Sequence, residues 1–162
     1  MNVLAIDPGP VQSAFVIWDG GRVVIKEKMT NHELLDRIIR LPHLQTPNQW
    51  PNVCIVEQIK SYGMAVSDSI FDTVYWTGRF IQAWSGATER FFDRIPRKDV
   101  KMHLCHSMRA KDSNIRQALI DRFGEPGTKK APGILYGVSK DIWAALALAV
   151  TWYDQNSNGG PR

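Results

Sequence analysis

Hydrophobic and polar positions divide the chain into short strands at the front and helices at the back. Residues 2–6 (NVLAI) form a β-rich run that stops at Asp7-Pro8-Gly9-Pro10, which neither extends a strand nor starts an ordinary helix. Two further runs, 11–19 (VQSAFVIWD) and 21–29 (GRVVIKEKM), flank Asp19-Gly20-Gly21, a hairpin signal. Thr30-Asn31-His32-Glu33 then reads as a capping box, followed by Leu34, Leu35, Ile38, Ile39 and Leu41 at helical spacing. The stretch from Pro42 to Pro51 reads as a loop.

Residues 53–58 (VCIVEQ) are apolar enough for a strand buried on both faces. Over 68–84 the spacing of Ile70, Val74, Thr77, Ile81 and Trp84 predicts a helix, with the other aromatic side chains of 71–92 mostly assigned to the core. Residues 91–95 (FFDRI) are a fifth strand. Helices are expected at about 97–107, 113–123 and 140–154, the second capped by Asp112 or Ser113 and stopped by Gly124. Three strands joined by hairpin-like links, then strand–helix alternation, predict an α/β fold: a mixed five-stranded sheet with helices on both faces. A single domain over 1–155 with a flexible tail over 156–162 accounts for the whole chain.

Composition narrows the class. Of 162 residues, 44% are hydrophobic and 22% charged, as in an ordinary globular domain. No apolar run approaches the roughly 20 residues of a membrane span, and the N-terminus lacks a basic n-region, so a cytoplasmic protein without membrane contact is expected. Cys54 and Cys105 match no metal or redox spacing and are read as reduced thiols. Net charge is +4, but eleven Lys or Arg against four acids lie within 94–140, a surplus of seven there and a deficit of three elsewhere. A basic half on a compact domain suits either a polyanion or a well-solvated surface.

Three acids change the picture. Asp7 ends a hydrophobic strand, Glu57 interrupts VCIV, and Asp141 opens an apolar helix, DIWAALALAV. Buried carboxylates need partners or a metal, and three converging at a sheet edge would suit Mg²⁺ or Mn²⁺ better than zinc. Asp7 alone is also good turn chemistry, and Asp141 alone is a favourable helix start. Glu57 has no comparable structural role. His103 and His106, three apart on a helix, fit a metal or, more simply, a solvated face. Tyr62, in the polar loop KSYGM, is placed to stack on an unpaired base.

The order NVLAIDPGP, IVEQ, IPRKDVKMHLCHSMRAKDSNIRQAL and SKDIWAALALAVTW resembles the RuvC group of Holliday junction resolvases, above all the compact versions carried by bacteriophages. The likeness spans nearly the whole chain. It implies a ribonuclease-H-like fold, with Asp7, Glu57 and Asp141 as catalytic and metal-binding acids and Mg²⁺ as cofactor, Mn²⁺ substituting. No organic cofactor is implied. Lys101 and Lys111 fall on family lysines that contact DNA; Lys60, Tyr62, Arg109 and Lys140 complete the DNA-binding candidates. The implied substrate is branched DNA, especially four-way junctions, cut to leave 5′ phosphate and 3′ hydroxyl ends; the two-fold symmetry of a junction that needs two cuts points to a homodimer. The helix at 68–84, with Phe71, Tyr75, Trp76 and Phe80, is the candidate interface.

In two-metal chemistry, paired ions about 3.5–4 Å apart activate water and steady the leaving oxygen. Asp7 would then bridge them, with Glu57 and Asp141 on one ion each. The family closes with two metal-binding positions three residues apart. Here the second falls on Ala144 or, if the alignment slides one helical turn, the first falls on Val138. Two other readings stay open: a nuclease of the same fold acting on RNA or RNA–DNA hybrids, and a nucleic-acid binder that does not cleave.

Overall fold

The computed structural model describes residues 1–41 and 50–157; most of the expected Pro42–Pro51 loop and the last five residues lie outside them. Five strands, β1 (Val3–Asp7), β2 (Gln12–Trp18), β3 (Val23–Thr30), β4 (Val53–Gln58) and β5 (Phe92–Pro96), form one sheet in the order β3-β2-β1-β4-β5. The first three run antiparallel; β4 and β5 add in parallel beyond β1. The hairpin between β2 and β3 turns where Asp19 Oδ1 accepts from the backbone N–H groups of Gly21 and Arg22, each at 2.9 Å.

Alternation along the strands feeds two cores. Leu4, Ile6, Phe15, Ile17, Cys54 and Val56 pack beneath α1 (Asn31–Arg40) and α2 (Asp68–Thr88). Val3, Ala5, Ala14, Val16, Val53 and Ile55 face α3 (Arg97–Cys105), α4 (Asp112–Phe123) and α5 (Ile142–Ser157). The fold is therefore a mixed five-stranded sheet covered on both sides. Thr30 caps α1 as expected: the Glu33 N–H donates to Thr30 Oγ1, and Glu33 Oε2 accepts from the Thr30 N–H at 2.9 Å. From Ala145 to Trp152 every residue of α5 is buried, because the helix is wedged between the sheet and the pair α3 and α4.

Four expectations need correction. The buried stripe of α2 is Thr73, Trp76, Thr77, Phe80 and Trp84, so Val74 faces outward and Ile70 is only half-buried. The aromatic side chains of 71–92 are split, since Phe71, Tyr75, Phe91 and Phe92 are exposed. Neither Asp112 nor Ser113 caps α4; Lys111 holds the N-cap position, and its backbone N–H donates to Asn114 Oδ1 at 2.8 Å. At the C-terminus α5 extends through Asn156 and Ser157, two residues into the expected tail.

Candidate active site

Asp7 and Glu57 end the two alternations that face α5: Val3, Ala5, Asp7 on β1 and Val53, Ile55, Glu57 on β4. Parallel pairing of Ile6 with Val56 makes the two acids neighbours on adjacent strands. Asp7 is half-buried and Glu57 is 8% exposed. The turn after Asp7 is held from below. Asn31 Nδ2 donates to the Gly9 carbonyl at 2.9 Å, the Gly9 N–H donates to Ser13 Oγ at 3.2 Å, and Ser13 Oγ donates to Asn31 Oδ1 at 2.6 Å. A side chain at residue 9 would put its Cβ 2.4 Å from the Gln12 carbonyl oxygen, so glycine is required there.

Asp141 sits one residue before α5, its carbonyl accepting from the N–H groups of Ala144 and Ala145. It lines a cleft of about 80 Å³ together with Asp7, Arg97, Asp112, Lys140 and Ala144. Two of these residues, Arg97 and Asp112, line the cleft beside the predicted acids; Arg97 reads in the sequence only as part of the basic segment, and Asp112 as a helix cap or, less simply, a substitute for the missing last acid. Arg97 Nη1 donates to Glu57 Oε2 at 3.0 Å, and Nη2 donates to Asp112 Oδ1 at 2.8 Å. Asp112, expected to cap a helix, instead directs its carboxylate into the cleft. Lys28 on β3 donates to Asp141 Oδ2. The register explains how: Asp7 pairs with Ala14 and Ala14 with Lys28, so the lysine lies on the same row and face of the sheet.

Burial, then the charge of Glu57 and a hydrogen bond with it, push the Asp7 carboxyl up to about 8, with Asp141 adding a little and Arg97 opposing. Burial works against the Arg97 charge, but Glu57, Asp112 and Asp7 outweigh it and raise its pKa. For Asp7 the protonated form is favoured in the fold, so its stabilising contribution is present in acid and is lost as pH rises from about 4 through about 8. The metal-free protein is therefore expected to melt at a lower temperature at pH 8 than at pH 5, with Asp7→Asn flattening that slope. Added Mg²⁺ should raise the melting temperature more at pH 8, where no proton competes. Equal shifts at both pH values in a thermal scan would contradict this.

The donor chemistry fits a hard divalent ion in part. Asp7 and Glu57 form an oxygen-only pair suited to Mg²⁺ or Mn²⁺. Among the described residues, however, no three carboxylate, imidazole or thiol groups are close enough to hold one ion as they stand. Asp141 is near enough for its charge to act on Asp7, but it is tied to Lys28.

The other candidates spread outward from this cleft. Lys140 lines it with a left-handed backbone at φ 48°. Tyr62 is exposed, also left-handed at φ 47°, and Lys98 Nζ lies 3.5 Å from its ring centroid. Desolvation first, then the charges of Asp99 and Glu57, raise its pKa. Lys60, Arg109 and Lys111 are exposed and Lys101 is half-buried. His103 does not face the acids: its Nε2 meets Asp154 Oδ2 at 2.8 Å, and Arg122 grips the same carboxylate, tying α3 and α4 to α5. His106 ends α3 in a left-handed conformation.

No protein-family model matches the sequence, and no curated protein matches it. Solved structures do. A structure of Thermus thermophilus RuvC superposes over 97% of this chain and 97% of its own, at 20% identity and a TM-score of 0.66. The same organism's RuvC in complex with a Holliday junction substrate matches over 93% and 92%, at 18% identity and a TM-score of 0.69. The two proteins thus share one ribonuclease-H-like fold from end to end. Among the described residues no helix is long and apolar enough to cross a membrane.

Proposed function

We propose that this chain is a magnesium-dependent endonuclease that resolves four-way DNA junctions and cuts related branched DNA. The observation that carries the reading is the pair Asp7 and Glu57, side by side on adjacent strands, in a fold shared with a protein solved on a Holliday junction. Asp7, Glu57 and Asp141 would hold magnesium, which supplies an activated water and neutralises charge on the scissile phosphate and the leaving oxygen. Glu57 is buried and Asp7 half-buried, so the two strands hold both carboxylates next to each other at the sheet edge. Lys101, Lys111, Arg109, Lys140 and Lys60 supply phosphate contacts around the cleft. Tyr62, exposed and close to Glu57, is placed to stack on a base unpaired at the branch point.

Cleavage of a four-way junction, a flap, a linear duplex and an RNA–DNA hybrid, with and without Mg²⁺, tests this reading. Preference for the junction supports it; preference for the hybrid favours the RNA-directed alternative, and binding without cleavage favours the binder. Junction affinity should also fall steeply with salt. Every phosphate left without its cationic partner lowers the log–log slope by about 0.9. Lys101→Ala with Lys111→Ala should therefore flatten the slope measurably, and an unchanged slope would move the DNA surface elsewhere.

A two-fold substrate needing two cuts is served by two chains with one site each, so the working unit proposed is a homodimer. The interface expected on α2 loses Trp76 and Phe80, which the chain's own core takes up. It retains Phe71 and Tyr75, 63% and 59% exposed, with Val74 between them. Sedimentation at micromolar concentration should show a dimer that Tyr75→Asp dissociates; a monomer even on junction DNA would make this protein a nickase.

A further inference from the structure

Arg97 is the first residue of α3, directly after Pro96 closes β5, and its guanidinium spans two carboxylates. Four acids surround this place. Glu57 and Asp112 share Arg97, and Asp141 has Lys28. Asp7 makes no ion pair among the described residues, although the charge of Arg97 reaches it. Ala144, on the wall of the same cleft, offers no donor for a further ion.

We propose that Arg97 is a positioning residue that stands in for a second divalent cation, so that the site binds one metal ion per chain, on the Asp7 side of Glu57. The proposal rests on the metal-dependent nuclease reading and specifies its stoichiometry. A guanidinium suits this role because it is planar, charged at every working pH, and able to hold two carboxylates with separate N–H groups. An ammonium is a compact point charge without that fork. By neutralising Glu57 and fixing Asp112, Arg97 removes the negative charge that would attract a second ion. Its own charge stays between Glu57 and Asp112, where a second metal would otherwise sit.

Mn²⁺ binding to the full-length protein without DNA, by calorimetry and by the loss of free-ion electron paramagnetic resonance signal, tests the proposal. Wild type should bind one Mn²⁺ per chain. Arg97→Gln should bind a second ion, or bind one about tenfold more tightly, because the competing charge is gone. Arg97→Lys, which keeps the charge, should stay at one ion. A merely structural arginine would leave the number of ions unchanged while lowering the melting temperature, so both are recorded. Two Mn²⁺ per wild-type chain would overturn the proposal and leave the nuclease reading intact. That measurement decides the matter even if the glutamine variant does not fold. Identical number and affinity in wild type and Arg97→Gln would also overturn it. No binding to any variant would instead remove the metal-dependent reading, and this inference with it.

Discussion

Asp7→Asn, Glu57→Gln and Asp141→Asn should each lower the rate of junction cleavage by roughly 10³-fold or more, a loss of about 4 kcal/mol of transition-state stabilisation. Junction affinity should hold or rise. The two effects separate because the acids do opposite things to the two steps. On the proposed reading they would recruit the metal needed for hydrolysis, while their charge would repel the phosphates needed for binding. Asp7 and Glu57 should be the more sensitive, since their side chains are close enough to share a hydrogen bond. Asp141 is half exposed and held by Lys28, so its loss also frees a cation at the edge of the cleft. Single-turnover cleavage and gel-shift binding on the same junction check this. Near-normal turnover in one variant would strike that residue from the site.

The second large effect concerns stability. Leu146→Ala should cost about 3 kcal/mol, within the 2–5 kcal/mol typical of emptying a leucine-sized space. In a chain of this length that lowers the melting temperature by roughly 6–12 °C. Leu146 is fully buried in α5. The neighbouring positions Ala145, Ala147 and Ala149 are small where the helix meets the sheet and its companion helices, so little is available to relax into the void. Calorimetry should show the loss with cleavage preserved at low temperature. A shift under about 2 °C would mean that the helix is less tightly enclosed than its burial indicates.

The strands and the acids at their ends were legible because both obey a period of two. Once Val3 and Ala5 face one core, Asp7 must face it too, and the same holds for Val53, Ile55 and Glu57. The stripe of α2 was harder. Its outer face, with Phe71, Val74 and Tyr75, is as apolar as its inner face, so periodicity alone does not choose between them. Nothing in the sequence marks Lys28, Arg97 shows only as charge, and Asp112 fits a helix cap more simply than a replacement for the missing acid. Lys28 reaches Asp141 through the register of three strands, and Arg97 reaches Glu57 through the turn from β5 into α3. Neither relation is written in any local pattern. The network of Asn31, Ser13 and Gly9 escaped for the same reason, since it joins a helix start to two residues far from it in the chain.

Asp7 and Asp141 stand at opposite ends of the chain, and α5 packs directly on β1 and β2. Asp141 is therefore translated only after Asp7, Glu57 and every strand of the sheet have been made. Until α5 emerges, β1 and β2 lack the helix that packs on them, and the cleft lacks the wall that carries Asp141. A chain stalled short of residue 141 lacks both Asp141 and α5, so it cannot bring the three acids to one place. Synthesis order thus keeps the acids apart until α5 closes on the sheet.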